Sequence, residues 1–88
     1  MMHIITSAKP RYPETLRQGG IGGRVLVQFS VDTTGRVDMA SVRVLQSTHD
    51  LFTQAVRSAL GAFRFRPAEV NGKRTAALAE MPFEFQVR

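Results

Sequence analysis

A strict alternation of apolar and polar residues between residues 24 and 31 constrains the fold more than any other feature of the sequence. Its apolar members are Val25, Val27, Phe29 and Val31, and only Leu26 breaks the pattern. A period of two is typical of a β-strand with one buried face. The chain has 88 residues and no cysteine. Other helices and strands of one small domain must therefore cover that face without disulfides.

A second strand is predicted directly after the first. Residues 32–35 form a turn signal in which Gly35 supplies a positive φ. The apolar residues that follow switch from odd to even positions: Val37, Met39, Val42 and Val44. Because one extra residue moves the side chains of a strand to the opposite face, the switch predicts a β-bulge near Ala40-Ser41. The two strands are expected to form an antiparallel hairpin.

A short helix is predicted before these strands. Pro10 and Pro13 make residues 10–13 a stiff, extended entry segment. Pro13 then suits the first position of a helix that runs to Gln18 and ends at Gly19-Gly20.

A longer helix is predicted after the hairpin. Ser47 and Asp50 stand three residues apart before it, as in a capping box. Its apolar stripe has helical spacing and consists of Phe52, Ala55, Val56, Ala59 and Phe63. We expect the helix to end near Phe63, because Pro67 follows soon after.

The last predicted strand contains a proline. After a turn signal at residues 70–73, the strand is expected from about Arg74 to Val87. One of its faces is apolar and consists of Ala77, Ala79, Met81, Phe83, Phe85 and Val87. Pro82 lies in the middle and cannot donate a backbone hydrogen bond. The strand is therefore expected at the edge of the sheet, or broken at Pro82.

These elements define an α+β fold in the order α-β-β-α-β. The expected architecture is a small antiparallel three-stranded sheet with two helices packed on one face. Residues 1–9 are interpreted as a tail or linker, although residues 3–6 could pair briefly as a strand, and residues 10–88 as the domain. No stretch approaches the ~18 apolar residues of a membrane helix, and the start of the chain does not resemble a signal peptide.

The residue inventory argues against an enzyme. The two histidines, His3 and His49, are far apart and belong to no cluster with metal-ligand spacing. Helix capping explains Ser47 and Asp50 without catalysis. The glycines of residues 19–23 precede a strand, whereas phosphate-binding loops follow one. No catalytic residue, metal or cofactor is expected.

The charge balance leaves nucleic acid open as a partner. Twelve Lys and Arg against seven Asp and Glu give a net charge of +5. The cations are dispersed, with the tightest groups at Arg64 with Arg66 and at Lys73-Arg74, so a solvated basic surface is the favoured interpretation. An RNA-binding sheet would display aromatic residues on an open face. Phe29, Phe83 and Phe85 are more simply interpreted as core residues.

An edge strand favours a peptide-binding module instead. Unpaired backbone N–H and C=O groups along such a strand can accept an extended peptide as a further strand. Backbone hydrogen bonds then supply affinity, and nearby side chains select the partner.

Several segments together resemble the C-terminal domain of the TonB energy-transducer family of Gram-negative bacteria. In chain order they are residues 10–13, 22–32, 35–37, 42–47, 62–68, 71–72 and 83–85. The resemblance covers nearly everything from Pro10 onward, and the order and spacing of the segments carry it. The family commonly has Trp where Phe63 stands, which we interpret as a core replacement.

The resemblance implies a partner and a mechanism. It implies a periplasmic domain of an inner-membrane-anchored protein that works with ExbB and ExbD through an N-terminal anchor and a proline-rich spacer, both missing from this chain. The domain would bind the TonB box of outer-membrane receptors beside its last strand, for uptake of siderophores, cobalamin or similar solutes. Phe65 and Pro67 match a structural motif of the family. The implied partner-binding residues are Pro10, Tyr12, Pro13, Ala76, Ala77, Leu78, Ala79, Glu80, Met81 and Phe83.

Some alternatives stay open at this point. Tyr12 either contacts the receptor or packs on the domain beside the first helix. A TolA-like or other TonB-like envelope interaction domain is a second interpretation, and a small basic nucleic-acid-binding domain is a third. The chain is expected to be a monomer or a strand-exchanged dimer.

Overall fold

A computed structural model describes residues 3–87; Met1, Met2 and Arg88 lie outside the described residues. In chain order the elements are β1 (Ile4–Thr6), α1 (Glu14–Gln18), β2 (Gly23–Val31), β3 (Val37–Ser47), α2 (Asp50–Leu60), β4 (Arg64–Phe65), β5 (Ala68–Val70), β6 (Lys73–Thr75) and β7 (Ala77–Phe85).

The predicted α+β class and the three-stranded sheet are confirmed. The sheet has the order β3-β2-β7, and both pairings are antiparallel. β2 is central because its alternating residues meet the helices on one face: Val25, Val27 and Phe29 are 0% exposed. Phe52, Val56 and Leu60 of α2 pack on them and are also fully buried. β7 is an edge strand, as its proline predicted.

The predicted bulge lies in β3. Gln28 pairs with Arg43 and Ser30 with Asp38, so β3 has extra residues between these two rungs, and Ala40-Ser41 is among them. The Ser41 hydroxyl accepts a hydrogen bond of 2.8 Å from the N–H of Ser30 and so replaces a missing backbone acceptor. A second irregularity opposite Leu26 and Val27 was not predicted.

The predicted helix boundaries need three corrections. Pro13 is the residue before α1 and not its first residue. The Ser47–Asp50 capping box is wrong, because His49 caps α2: its Nδ1 accepts the N–H of Leu51 at 3.0 Å. Ser47 donates its hydroxyl to the His49 carbonyl instead.

The end of α2 is the third correction. The helix ends at Leu60 and not near Phe63, because tighter i→i+3 hydrogen bonds from Ala62 to Ala59 and from Phe63 to Leu60 close its last turn. Phe63 thereby leaves the helix and packs edge-on against Phe83, with 6.1 Å between ring centroids. It is a buried core residue, 3% exposed.

Two short ladders accompany the main sheet. β1 pairs with β4, so residues 4–6 do form a strand. β5 pairs with β6 across a turn in which Asn71 and Gly72 both have positive φ, as a tight hairpin requires. The predicted last strand is therefore divided: residues 73–75 belong to this hairpin, and β7 begins at Ala77.

Gly35 joins the β2–β3 turn to β4. Its φ is +87°, as predicted. Its carbonyl accepts the N–H of Phe65 at 2.8 Å. A Cβ at this position would lie 2.1 Å from the Phe65 carbonyl oxygen, so the contact needs a glycine. Phe65 is 4% exposed, which fits the structural part that the resemblance gives it.

Candidate partner-binding edge

The hydrogen bonds of β2 establish which backbone groups of β7 face outward. Arg24 accepts the N–H of Thr48 at 3.1 Å and donates its own N–H to the Thr48 hydroxyl at 3.0 Å. Ser30 likewise donates its N–H toward β3. Since backbone groups alternate sides along a strand, the even-numbered residues of β2 face β3 and the odd-numbered residues face β7.

The same alternation applies along β7. Val25 pairs with Phe83 and Val27 with Met81, in a register without a break from Gly23 to Val31. The odd-numbered residues of β7 therefore use their backbone groups on β2. The even-numbered residues turn theirs to the other side, and they are Leu78, Glu80, Pro82 and Glu84. Among residues 3–87, no strand pairs with that side.

Three N–H donors and four carbonyl acceptors thus line the open edge. The donors belong to Leu78, Glu80 and Glu84, because Pro82 has no N–H. The proline sits where its missing donor leaves the β2–β7 ladder intact, which explains how a proline is accommodated in the middle of this strand.

Side chains divide along β7 in the same way. Leu78, Glu80, Pro82 and Glu84 are exposed on the sheet face away from the helices, and Leu78 is 70% exposed. Glu84 lies 3.6 Å from Arg24, an exposed ion pair of little energetic weight. Ala79 and Met81 are half-buried against the core. A strand added at this edge would extend an apolar layer on one face and meet carboxylates on the other.

Tyr12 lies at the far end of the same edge. Its ring packs edge-on against Phe52 and Phe85, with centroid distances of 5.7 and 5.6 Å. Its hydroxyl donates a hydrogen bond of 2.5 Å to the Ile21 carbonyl. Tyr12 is thus half-buried at the rim of the core, and packing on the domain is the alternative that these contacts support.

A groove separates the entry segment from the end of β7. Residues 9–12 form one wall, and residues 83–86 form the other. Pro10, Tyr12 and Phe83, three of the predicted site residues, meet here. Lys9 and Arg11 line this groove together with Glu84, and among the described residues neither forms an ion pair with it.

The remaining predicted residues are not all brought together. Pro13 lines a different groove, between the entry segment and α2. Ala76 lies between β6 and β7 and belongs to neither strand. Ala77, Ala79 and Met81 have their backbone groups on the β2 side, so only Leu78 and Glu80 of the predicted strand residues face outward.

The sequence-based list leaves out six residues of this edge and groove. Pro82 and Glu84 complete the outward-facing set, and Lys9, Arg11, Phe85 and Gln86 line the groove. The alternation of apolar residues in β7 could have indicated the outward-facing set. The apolar face consists of odd-numbered residues, so the even-numbered residues point their side chains away from the core and their backbone groups away from β2.

Ionisable groups in the described residues serve the turns and the surface. All buried side chains among residues 3–87 are apolar. Hydrogen bonds from the Thr34 hydroxyl and the Arg36 N–H hold the pKa of Asp32 below its usual range. The Arg17 guanidinium does the same for the pKa of Glu14. Within this part of the chain, no group of three or more acidic or histidine side chains could hold a metal ion.

Neither helix of the described chain has the length and apolar character needed to cross a membrane. The aromatic residues considered for RNA binding are buried: Phe29 is 0%, Phe83 9% and Phe85 6% exposed. They fill the core, as the favoured interpretation held. Arg64 turns its guanidinium onto the Gly61 and Phe63 carbonyls, where it closes the end of α2.

Fold and edge together define a small α+β domain of the kind that can accept an extended segment as an additional strand. A family model for the Gram-negative bacterial TonB protein C-terminal region matches residues 8–87. The chain belongs to this TonB C-terminal family.

Individual relatives agree with this membership. The TonB protein of Pseudomonas aeruginosa is 37% identical over 79 residues, which cover 89% of this chain and 22% of that protein. TonB of Xanthomonas campestris pv. campestris is 30% identical over 76 residues, covering 86% and 34%. The chain thus spans between a fifth and about a third of these relatives.

A solved structure has the same fold. The solution NMR structure of the Pseudomonas aeruginosa TonB C-terminal domain superposes with a TM-score of 0.82 at 33% identity. The alignment covers 98% of this chain and 86% of that one. The likeness in fold therefore extends over nearly the whole of this chain.

Proposed function

We propose that the chain is the periplasmic peptide-binding domain of a TonB-type energy transducer. It takes an extended segment of an outer-membrane receptor, the TonB box, as a fourth strand on the open edge of β7. The observation that carries this proposal is the row of outward N–H and C=O groups at Leu78, Glu80 and Glu84. No catalytic step is involved.

The energy-transducing role rests on parts outside this chain. The relatives that share the domain are about two and a half to four times as long as this chain, which leaves room for a membrane anchor and a spacer. Through these the protein would work with ExbB and ExbD. The transmitted force would open the receptor for siderophores, cobalamin or similar solutes.

Strand addition also suits an edge whose main recognition groups belong to the backbone. An edge that recognises its partner through backbone groups needs neither a deep pocket nor a charged anchor, and in the described residues the groove beside this edge lies at the Glu84 end of β7. Such recognition tolerates many side chains, as a transducer that serves several receptors requires.

The proposal is tested by titrating the ¹⁵N-labelled chain with a synthetic TonB-box peptide and recording backbone amide shifts. The largest shifts are expected at Leu78, Glu80 and Glu84. The matched control is the same peptide with alternate backbone amides N-methylated, which keeps every side chain and removes donors. Equal binding of both peptides, or shifts concentrated on α2, would contradict the proposal.

A further inference from the structure

We propose that the open edge of β7 accepts an unlike strand and rejects a second copy of itself, and that Pro82, Glu80 and Glu84 make this distinction. The identity of the unlike strand rests on the proposed function. The exclusion of a second copy follows from the chemistry of the edge alone.

An unpaired edge is normally a risk, because two copies can join their edges into one continuous sheet. A closed dimer of this kind is antiparallel and twofold symmetric. Its outward-facing residues must lie opposite outward-facing residues of the other copy, since only these have free backbone groups. On β7 the available set is Leu78, Glu80, Pro82 and Glu84.

Three registers pair at least three of these residues in each copy. In the central register Pro82 lies opposite Glu80. In the two neighbouring registers Pro82 lies opposite Leu78 or opposite the other copy's Pro82. Because the dimer is symmetric, the missing N–H occurs twice in each register. When an unlike strand pairs with β7, only one N–H is missing, that of Pro82. A strand that ends or bulges opposite Pro82 loses no hydrogen bond there.

The glutamates disfavour the two neighbouring registers further. The register with Pro82 opposite Leu78 places the Glu80 residues of the two copies opposite each other. The register with the two Pro82 residues opposite each other places Glu80 of each copy opposite Glu84 of the other. Like charges directly opposite each other destabilise a strand pair. Within residues 3–87, the exposed contact with Arg24 is the one ion pair of Glu84, and no cation lies within ion-pair distance of Glu80.

The same chemistry describes the strand that fits. An added segment places alternate side chains beside Glu80 and Glu84 on the exposed face of the sheet. Neutral or basic residues suit these positions, and acidic ones do not. On the other face its side chains lie beside Ala79 and Met81, which are half-buried against the core, so apolar residues suit those.

Sedimentation equilibrium and amide shifts over a dilution series test the exclusion, with no peptide present. The wild-type chain is expected to stay monomeric at millimolar concentration. Pro82→Val restores a donor in each copy and should strengthen self-association by about tenfold or more. Adding Glu80→Gln and Glu84→Gln should strengthen it further, with concentration-dependent shifts at the Leu78 amide. Glu69→Gln, an exposed carboxylate on β5, is the charge control and should remain monomeric.

Two results would overturn the inference. One is a wild-type dimer whose concentration-dependent shifts lie at Leu78 and Glu84. The other is a folded Pro82→Val chain, and a folded triple variant, that associate no more strongly than wild type. Since neither result involves a peptide, both leave the TonB-box titration as a separate test of the proposed function.

Discussion

The Tyr12 hydroxyl donates a hydrogen bond of 2.5 Å to the backbone carbonyl of Ile21. This bond joins the proline-flanked entry segment to the loop that leads into β2. The loop is itself fixed, because the N–H of Ile21 bonds the Leu16 carbonyl at 2.9 Å and Gly20 has a φ of +69°, as in a Schellman helix end. Tyr12 therefore holds one wall of the groove in place.

Two substitutions at Tyr12 distinguish the stabilising contribution of its hydroxyl group from that of its ring. Tyr12→Phe removes one hydrogen bond and should cost about 1 kcal/mol of unfolding free energy. Tyr12→Ala also removes the contacts with Phe52 and Phe85 and should cost roughly 2–4 kcal/mol. Urea unfolding followed by circular dichroism measures both. A Tyr12→Ala chain of wild-type stability with weakened peptide binding would show that the ring acts in recognition and not in packing.

Gly23 should not tolerate a side chain. A Cβ there would lie 2.1 Å from the Thr48 hydroxyl oxygen and 2.6 Å from the Phe52 ring. Gly23→Ala is expected to lower stability by about 1–3 kcal/mol through overpacking. Gly61→Ala is the matched control, since Gly61 has helical dihedral angles and open space around its Cβ position. Equal stabilities of the two variants would contradict the packing at the start of β2.

Asp32 should make stability depend on pH in the acid range. Hydrogen bonds from Thr34 and Arg36 lower the pKa of its carboxyl group in the folded state. A lowered folded-state pKa stabilises the fold above the unfolded value of about 3.9 and loses that stabilisation as the pH falls through the folded value. Asp32→Ala should therefore flatten the acid limb of a plot of unfolding free energy against pH. An unchanged acid limb would show that the turn does not depend on the ionised carboxylate.

Salt dependence separates a peptide partner from nucleic acid. Arg66, Lys73 and Arg74 are exposed around the β5–β6 hairpin. If they are only solvated, peptide affinity should change little between low and physiological salt. Binding to RNA or DNA would instead lose about one unit of log affinity per unit of log salt for each phosphate contacted. Tight, salt-sensitive RNA binding at physiological ionic strength would favour the nucleic-acid alternative.

Local patterns predicted most of the main sheet. The alternation in β2, the bulge at Ala40-Ser41 and the edge position of β7 all follow from side-chain period and proline chemistry within a few residues. The resemblance to the TonB family likewise depended on the order of short segments, and the family match over residues 8–87 confirms it.

Long-range contacts were beyond such reasoning. Ile4 pairs with Phe65 across about sixty residues, and no local signal indicates which distant strand a three-residue segment will join. The prediction of the α2 cap was wrong for a related reason. Ser47, His49 and Asp50 are all polar residues near the helix start, and the backbone path into the helix selects His49 as the cap. The outward-facing residues of β7 could be identified only after the hydrogen bonds of β2 showed which of its residues face β3.

The most direct test of strand addition compares two substitutions at Leu78. Its N–H faces the open edge, so Leu78→Pro removes an edge donor and leaves the β2–β7 ladder intact, whereas Leu78→Ala removes only the side chain. Calorimetric titration with a TonB-box peptide should show affinity reduced by roughly tenfold or more for the proline variant, and by much less for the alanine variant. A folded Leu78→Pro chain that binds the peptide as tightly as wild type would contradict strand addition at this edge.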